Sequence, residues 1–360
     1  MNYIGSKYSL LPFLDASITQ IIGKKTDNIV FCDLFAGTGA VGKYFKKKGY
    51  QIIANDLQYY SYVLINQYIA NHNILLFKGL EKEIPQLKNS IADEHKCELV
   101  CQYLDSIKPI KGFVYNNFCK GNHNDNEEYR QYYSNLNGAK FDAIRTKIEK
   151  WHNSNKVTDN EYYFLLTTLL ENIDKVANTT SVYGAFLKKI KSSAQKTMKM
   201  YPAEMIYNEQ NHYVYNEDAN KLISKIKADI LYLDPPYNQR QYSSNYHVLE
   251  TIARYDNPIL KGKTGMRDCS MQKSEYCNKK HIRSIFADLI NNAKAKYIFL
   301  SYNNEGLMSF EDIKDIMSKR GEYGCFEKKY NRFRADNPSN NRHIKADYTT
   351  EYLHYVIVND

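Results

Sequence analysis

The sequence has no apolar run of 18 residues, which leaves no segment that reads as a membrane-spanning helix. Its opening residues, MNYIGSKYSL, fit neither a secretory signal nor a transit peptide, so the expectation is a soluble, cytoplasmic protein with no membrane partner. Cysteine is sparse: seven residues, an odd number, with no C-x-x-C pair. That argues against a disulfide framework or a zinc ribbon, so the cysteines read as reduced thiols and no metal site is expected. Internal repeats and long linkers are also missing. Acidic residues are outnumbered, 40 Asp and Glu against 49 Lys and Arg, giving a net charge of +9 that suits a polyanionic partner. A chain rich in Lys, Asn, Ile and Tyr, with 33 tyrosines, is equally what an A+T-rich genome would write, so charge alone selects no function. The length of 360 residues allows one large domain or two.

What is present gathers around nine residues, Ile230 to Asn238, reading ILYLDPPYN. An apolar, strand-like run ends in an acid, two prolines and a tyrosine. Two successive prolines neither continue a ladder nor enter a helix interior, so Asp234 to Tyr237 is a stiff turn at a strand's end. A carboxylate, a fixed carbonyl and an aromatic ring then meet at a sheet edge, where open α/β sheets bind ligands. An isolated Asp-Pro-Pro would be read as a buried strand and a proline turn. The rest of the chain reverses that.

Asn28 to Phe35 (NIVFCDLF) reads as a buried strand running into Ala36 to Gly42 (AGTGAVG), which opens a helix. Gly37, Gly39 and Gly42 fit G-x-G-x-x-G, a turn tight enough for backbone to approach a nucleotide. A second strand, YQIIAND, ends in Asp56, where an acid can accept from both ribose hydroxyls of a bound nucleoside. This βαβ unit suits an adenosine-containing ligand, but nicotinamide cofactors and S-adenosylmethionine are both held in this way. From Lys78 to Pro202 the strand-helix alternation lapses. FDAIRTKIEKW and EYYFLLTTLLENIDKVA have helical spacing, Asn116 to Lys140 reads as irregular, and the whole looks like an insertion. The basic stretch Lys261 to Lys280 lacks periodicity and is expected to be mobile. EYLHYVIV and Phe326 to Tyr330 read as closing antiparallel strands.

These residues resemble the Dam-like N6-adenine DNA methyltransferases, in which a cofactor motif precedes, and a catalytic DPPY follows, an inserted target-recognition region. The resemblance rests on YIGSK at 3–7, DLFAGTG at 33–39, the acid at 56, NEDA at 216–219, DPPY at 234–237, LSYN at 300–303 and the EYLHYVIV ending. Phrases such as NGAKFDAIR and SVYGAFLKK are similar to members from type II restriction-modification systems. It implies an α/β, Rossmann-like S-adenosylmethionine-dependent fold with a mixed seven-stranded sheet of order 3-2-1-4-5-7-6. Residues 1–77 and 203–360 would form the catalytic domain, and 78–202 an inserted, mostly helical target-recognition domain. Carried over by residue, it implies that Tyr3 and Lys7 line the S-adenosylmethionine pocket. Phe35, Gly37 and Gly39 would underlie the methionine portion, with Asp33 near its amino group. Asp56 would bind the ribose, and Asp218 or its neighbour Glu217 the cofactor's adenine. Members often carry Pro after the first acid; here it is Leu34.

The chemistry gives DPPY an independent reason. An exocyclic adenine amine is a poor nucleophile because its lone pair is delocalised into the ring. Asp234 and the carbonyl of Pro235, both accepting from that amine, favour a tetrahedral nitrogen aimed at the methyl sulfonium. Pro236 fixes the carbonyl's direction, and Tyr237 offers a face on which an extruded base stacks. Direct displacement needs neither metal nor covalent intermediate, and the lack of a Pro-Cys pair argues against cytosine C5 methylation. Double-stranded DNA is the expected partner, with a cognate restriction endonuclease acting separately; oligomeric state stays open. Arg240, Tyr242 and Tyr246 are candidates for touching the flipped base or its strand, Tyr246 equally for packing into the following helix. Arg332 and Arg334 stand evenly between phosphate contact and a solvated loop. The alternatives are N4-cytosine in DNA, N6-adenine in RNA, a nicotinamide-dependent oxidoreductase, which leaves DPPY unexplained, and a nucleotide-binding DNA regulator without turnover.

Overall fold

A computed structural model describes residues 3–23, 28–90, 92–121, 129–331 and 348–359. Seven strands, β1 (Val30–Asp33), β2 (Gln51–Asn55), β3 (Tyr213–Tyr215), β4 (Ala228–Leu233), β5 (Ala295–Asn303), β6 (Gly321–Asn331) and β7 (Tyr348–Val358), form one sheet of order β3-β2-β1-β4-β5-β7-β6. The first five in that order run parallel, and β7 lies antiparallel between β5 and β6. This is the mixed α/β sheet expected, in the order expected. In chain order the helices are α1 (Leu11–Ile22), α2 (Ala40–Lys47), α3 (Tyr59–Ile65), α4 (Asp93–Ser106), α5 (Phe113–Phe118), α6 (Asn135–Asn153) and α7 (Asp159–Lys175). There follow α8 (Ser192–Gln195), α9 (Ala219–Ile223), α10 (Tyr242–Asn245), α11 (His247–Arg254), α12 (Ile282–Asn292) and α13 (Phe310–Met317).

The chain divides into two units. One comprises Gly5–Ile65, Asn208–Tyr242 and Ser270–Asp360, and holds the whole sheet. Alternation along its strands sends Cys32, Leu231, Leu233, Ile298 and Leu300 to one face, where Leu222 of α9, Phe286 and Leu289 of α12 and Ile313 of α13 cover them. Phe31 stacks on Phe45 of α2 at 4.2 Å between centroids. The central strands β1, β2 and β4 are short and nearly all apolar because both faces are covered.

The other unit comprises Met1–Ile4, Asn66–Tyr207 and Ser243–Cys269. It is helical, with α6 and α7 as its longest elements, each started by a hydroxyl cap: Ser134 for α6, and a capping box of Thr158 and Glu161 for α7. Its buried residues include Trp151, Phe141, Phe164, Leu165 and Leu169. Beside residues 78–202 it takes in Met1–Ile4, 66–77, 203–207 and Ser243–Cys269, which the sequence reading left with the flanking domain. One expectation is corrected. The stretch Asn116–Lys140 read as irregular is helical at both ends, in α5 and from Asn135 onward in α6. Lys261–Lys280, read as mobile, contains a Lys261–Met266 bridge and 3-10 turns at Ser270–Gln272 and Glu275–Cys277. All seven cysteines are free, six of them buried, and among the described residues no helix is long and apolar enough to cross a membrane.

Candidate active site

Strands β1 and β4 are parallel neighbours, with Asp33 opposite Tyr232 in register. Their carboxyl ends therefore deliver Asp33 and Asp234 side by side at the sheet's switch point, since the strand order departs in opposite directions from this pair. Beyond β1 the chain turns sharply. Gly37 and Gly39 have φ of 54° and 76°, and a Cβ on Gly39 would stand 3.1 Å from Ile65 Cγ2, so conformation and space both call for glycine. The turn is tied down by Ala36 N–H donating to the Asn55 carbonyl (2.9 Å) and Gly37 N–H to Asp56 Oδ2 (2.8 Å). Asp56 Oδ1 accepts from Gln58 N–H at 2.8 Å. Buried Asn55, which the sequence reading passed over, binds the Leu34 and Glu217 carbonyls through Nδ2 (3.2 and 3.1 Å) and takes the Glu217 N–H on Oδ1 (3.0 Å). An asparagine closing an otherwise apolar strand was the available signal.

Asp234 sits between interior and solvent, its side chain 16% exposed. Lys7, 4% exposed, donates to Asp234 Oδ1 at 2.7 Å and to the Gly5 carbonyl at 3.2 Å, and its ammonium lies 5.5 Å from the Tyr237 ring centroid. Asp234 Oδ2 has no partner among the described residues. Tyr237 packs edge-on against Tyr302 (5.6 Å) and its carbonyl accepts from Leu307 N–H at 3.0 Å, which fixes the residue after the two prolines. Gly5, at φ +79°, lies under the Tyr242 hydroxyl: a Cβ there would come within 2.8 Å of it. Phe35 meets Tyr276 edge-on at 5.0 Å.

The charges follow from this burial. Desolvation raises Asp33 to about 7, opposed by the Gly42 N–H on Oδ2 (3.0 Å) and reinforced by Asp234 and Asp56. Burial also raises Asp234, with Lys7 working against it. For Lys7, burial pulls downward, but Asp234, Tyr237, Tyr232 and Glu351 hold it well above the ordinary lysine value. Lys7 pulls the Tyr237 phenol down, and burial with Asp234 outweighs it, to about 12. At neutral pH Lys7 is an ammonium and Tyr237 a phenol.

The remaining sequence candidates fall elsewhere. Asp218 is exposed and caps α9, accepting from Lys221 N–H at 3.1 Å, while Glu217 pairs with Lys225 at 2.5 Å. Arg240 is exposed just past DPPY, its N–H on Asn238 Oδ1 at 2.9 Å. Tyr3 and Tyr246 belong to the helical unit. Tyr246 is fully buried, stacks on Tyr3 at 4.7 Å and takes the Ile4 N–H on its hydroxyl at 2.7 Å, so packing is the alternative its position favours. Arg332 and Arg334 lie outside the described residues.

Residues 3–316 match the family model described as D12 class N6 adenine-specific DNA methyltransferase. Over 354 residues the chain is 48% identical to the type II methyltransferase M.NlaIII of Neisseria lactamica, covering 98% of both chains. It is 33% identical to M.CviAII of Paramecium bursaria Chlorella virus 1, over 99% of this chain and 98% of that one. With M.FokI of Planomicrobium okeanokoites it shares 36% identity over 99% of its own length and 52% of the relative's.

Proposed function

The chain belongs to the D12 class of N6 adenine-specific DNA methyltransferases, and from that premise we propose how its residues move a methyl group from S-adenosylmethionine to adenine N6. It is a site-specific adenine DNA methyltransferase of the type II restriction-modification kind. The observation that carries the residue assignment is the division of Asp234: Lys7 occupies Oδ1, and Oδ2 has no partner among the described residues. A carboxylate so held presents one acceptor in a fixed direction. Asp234 Oδ2 and the Pro235 carbonyl take the two N–H groups of the target amine, and Pro236 keeps that carbonyl from rotating. Tyr237, braced by Tyr302, stacks on the base extruded from duplex DNA. Orientation and electrostatics then do the work.

The residues around the glycine turn fit the methyl donor. Gly37 and Gly39 give backbone access, and Asp56, tied to the turn through the Gly37 N–H, stands at the end of β2 where a carboxylate accepts from ribose hydroxyls. Lys7, Phe35 and Asp33 line the methionine end, Asp33 facing the amino group, and Asp218 the adenine end. Bound there, S-adenosylmethionine supplies an electrophilic methyl group on a sulfonium. Asp56→Ala should weaken cofactor binding about 10–100-fold by calorimetry, the range for charge-assisted hydrogen bonds of about 1.5–3 kcal/mol; unchanged affinity would refute the ribose role.

Asp33 predicts a pH dependence. With its folded value raised to about 7, the carboxyl is neutral below that pH and offers an ammonium no counter-charge. Cofactor affinity should therefore rise with pH through about 7, and the slope should vanish in Asp33→Asn. The contribution to stability has the opposite sign. An acid whose pKa is raised on folding binds more protons folded than unfolded, so its share of stability falls from about pH 4 to about 7.

The unit around α6 and α7, which contains the expected insertion 78–202, reads the recognition sequence, while Arg240, Tyr242, Arg332 and Arg334 contact the DNA strand. The protein acts in the cytoplasm beside a separate endonuclease. Expression in cells lacking adenine methylation, followed by nucleoside mass spectrometry beside an Asp234→Ala control, tests the assignment. N6-methyladenine made only by the intact chain supports it; equal yield from the control sinks it.

A further inference from the structure

The closing strand β7 carries an acid into the interior. Glu351, 7% exposed, stands opposite Asn303 of β5 and Lys328 of β6, on the same side of the strand as fully buried Leu353. One carboxylate oxygen accepts from the Asn303 side chain. The other, Oε2, is buried with no hydrogen-bond partner among the described residues. Lys7, Asp234 and Tyr237 all lie within reach of its charge. Lys7 has the complementary shortage. Its ammonium has three N–H groups, and among the described residues Asp234 Oδ1 and the Gly5 carbonyl take two. A buried cation with an unused donor and a buried anion with an unused acceptor thus serve one cluster. Leaving a buried acceptor unmet costs about 1–3 kcal/mol, more for a charged one, which packing alone would avoid with leucine at this position.

We propose that Glu351 is a positioning residue of the reaction centre, taking the remaining hydrogen bond of the Lys7 ammonium through one water. Glu351 thereby holds Lys7 against Asp234 while the free Asp234 oxygen engages the target amine. This rests on the roles given above to Asp234 and Lys7. The need arises as positive charge builds on the target nitrogen. That charge competes with Lys7 for one carboxylate, and an ammonium with a single anionic partner would be driven off, taking the orientation of Asp234 with it. A second carboxylate keeps Lys7 in place and brings the trio to a net charge of −1, matching the charge arriving on the amine.

Glu351→Gln keeps the shape and removes the charge. Single-turnover methylation of duplex DNA should fall 10–100-fold, with dissociation constants for S-adenosylmethionine and DNA within twofold of the parent and no loss of melting temperature. In a Lys7→Met background the same change should cost less than threefold, because Glu351 acts through Lys7. A parental rate in Glu351→Gln, full multiplication of the two losses, or a rate loss that only tracks the unfolded fraction would overturn the proposal. If Glu351→Gln does not fold, Glu351→Asp, which withdraws the charge by one methylene, is read by the same criteria. Asp234→Asn, run alongside, separates the two failures. If it is inactive while Glu351→Gln is parental, only this inference falls; if it is fully active, the underlying reading of Asp234 falls first.

Discussion

Replacing Asp234 by asparagine is expected to slow single-turnover methylation by about 10³-fold, the upper range for removing one preorganised polar group from a reaction centre. Asparagine matches aspartate in shape, so the packing around Pro235 and Tyr237 survives. Two losses coincide. Oδ1 is committed to Lys7 at 2.7 Å, so the amide oxygen stays there and turns the NH2 group toward the substrate, donor against donor. The charge that favours a more positive nitrogen is lost as well, and charge-assisted hydrogen bonds are about twice as strong as neutral ones. Stability should suffer less than activity. Lys7 keeps the Gly5 carbonyl and the amide oxygen as acceptors, so the loss stays below the roughly 3–5 kcal/mol of stranding a buried charge. Cofactor affinity, measured by calorimetry, should be near parental because the glycine turn and Asp56 are untouched. Full turnover with cofactor bound would refute the role given to Asp234.

The parts of the site legible in the sequence are those whose geometry is local. Prolines 235 and 236 fix their own φ, the glycine turn declares its left-handed backbone, and an acid closing a strand reaches the sheet's edge whatever the rest of the chain does. The strand order was legible only through resemblance, because pairing partners hundreds of residues apart leave no periodic trace. Glu351 is the clearest case of what stayed hidden. EYLHYVIV reads as a half-buried strand, and its acid becomes part of the centre only because β7 enters between β5 and β6 and sets Glu351 opposite Asn303. Tyr246 was open between packing and substrate contact, and only its tertiary burial against Tyr3 separates the two. Likewise, Ser243–Cys269 closely follows the DPPY turn in sequence yet belongs to the helical unit, because its packing partners are distant in sequence.

Within that helical unit, Asp142→Ala is expected to lower stability by about 3–5 kcal/mol, read as a fall in the urea midpoint at unchanged slope. Fully buried Asp142, on α6, accepts from Val114 N–H (2.8 Å) and the Tyr255 hydroxyl (2.6 Å) on Oδ1, and from Gly112 and Tyr115 N–H (both 2.9 Å) on Oδ2. It therefore serves the first turn of α5 as an N-terminal cap supplied by another helix, where a negative charge also suits the helix dipole. Gly112 has no alternative residue here, because a Cβ would lie 2.7 Å from Asp142 Cγ. One turn further along α6, buried Arg145 does the reverse. Its guanidinium donates to the Ile252 and Ala253 carbonyls (3.1 and 3.0 Å) at the end of α11 and lies 5.4 Å from the Tyr255 ring centroid. One helix thus offers an anion to a helix start and a cation to a helix end, and Tyr255 touches both. Alanine would strand three backbone donors and a phenol together. Their separate costs of about 1–3 kcal/mol sum to more than the figure given, because the phenol can rotate and water can reach part of the gap. Asp142→Asn should recover little, since its NH2 group would face N–H donors. A loss under about 1 kcal/mol would show that α5 is capped by something other than this carboxylate. If the helical unit reads DNA and the sheet unit holds S-adenosylmethionine, both as proposed, the same variant should weaken DNA binding while cofactor binding is retained.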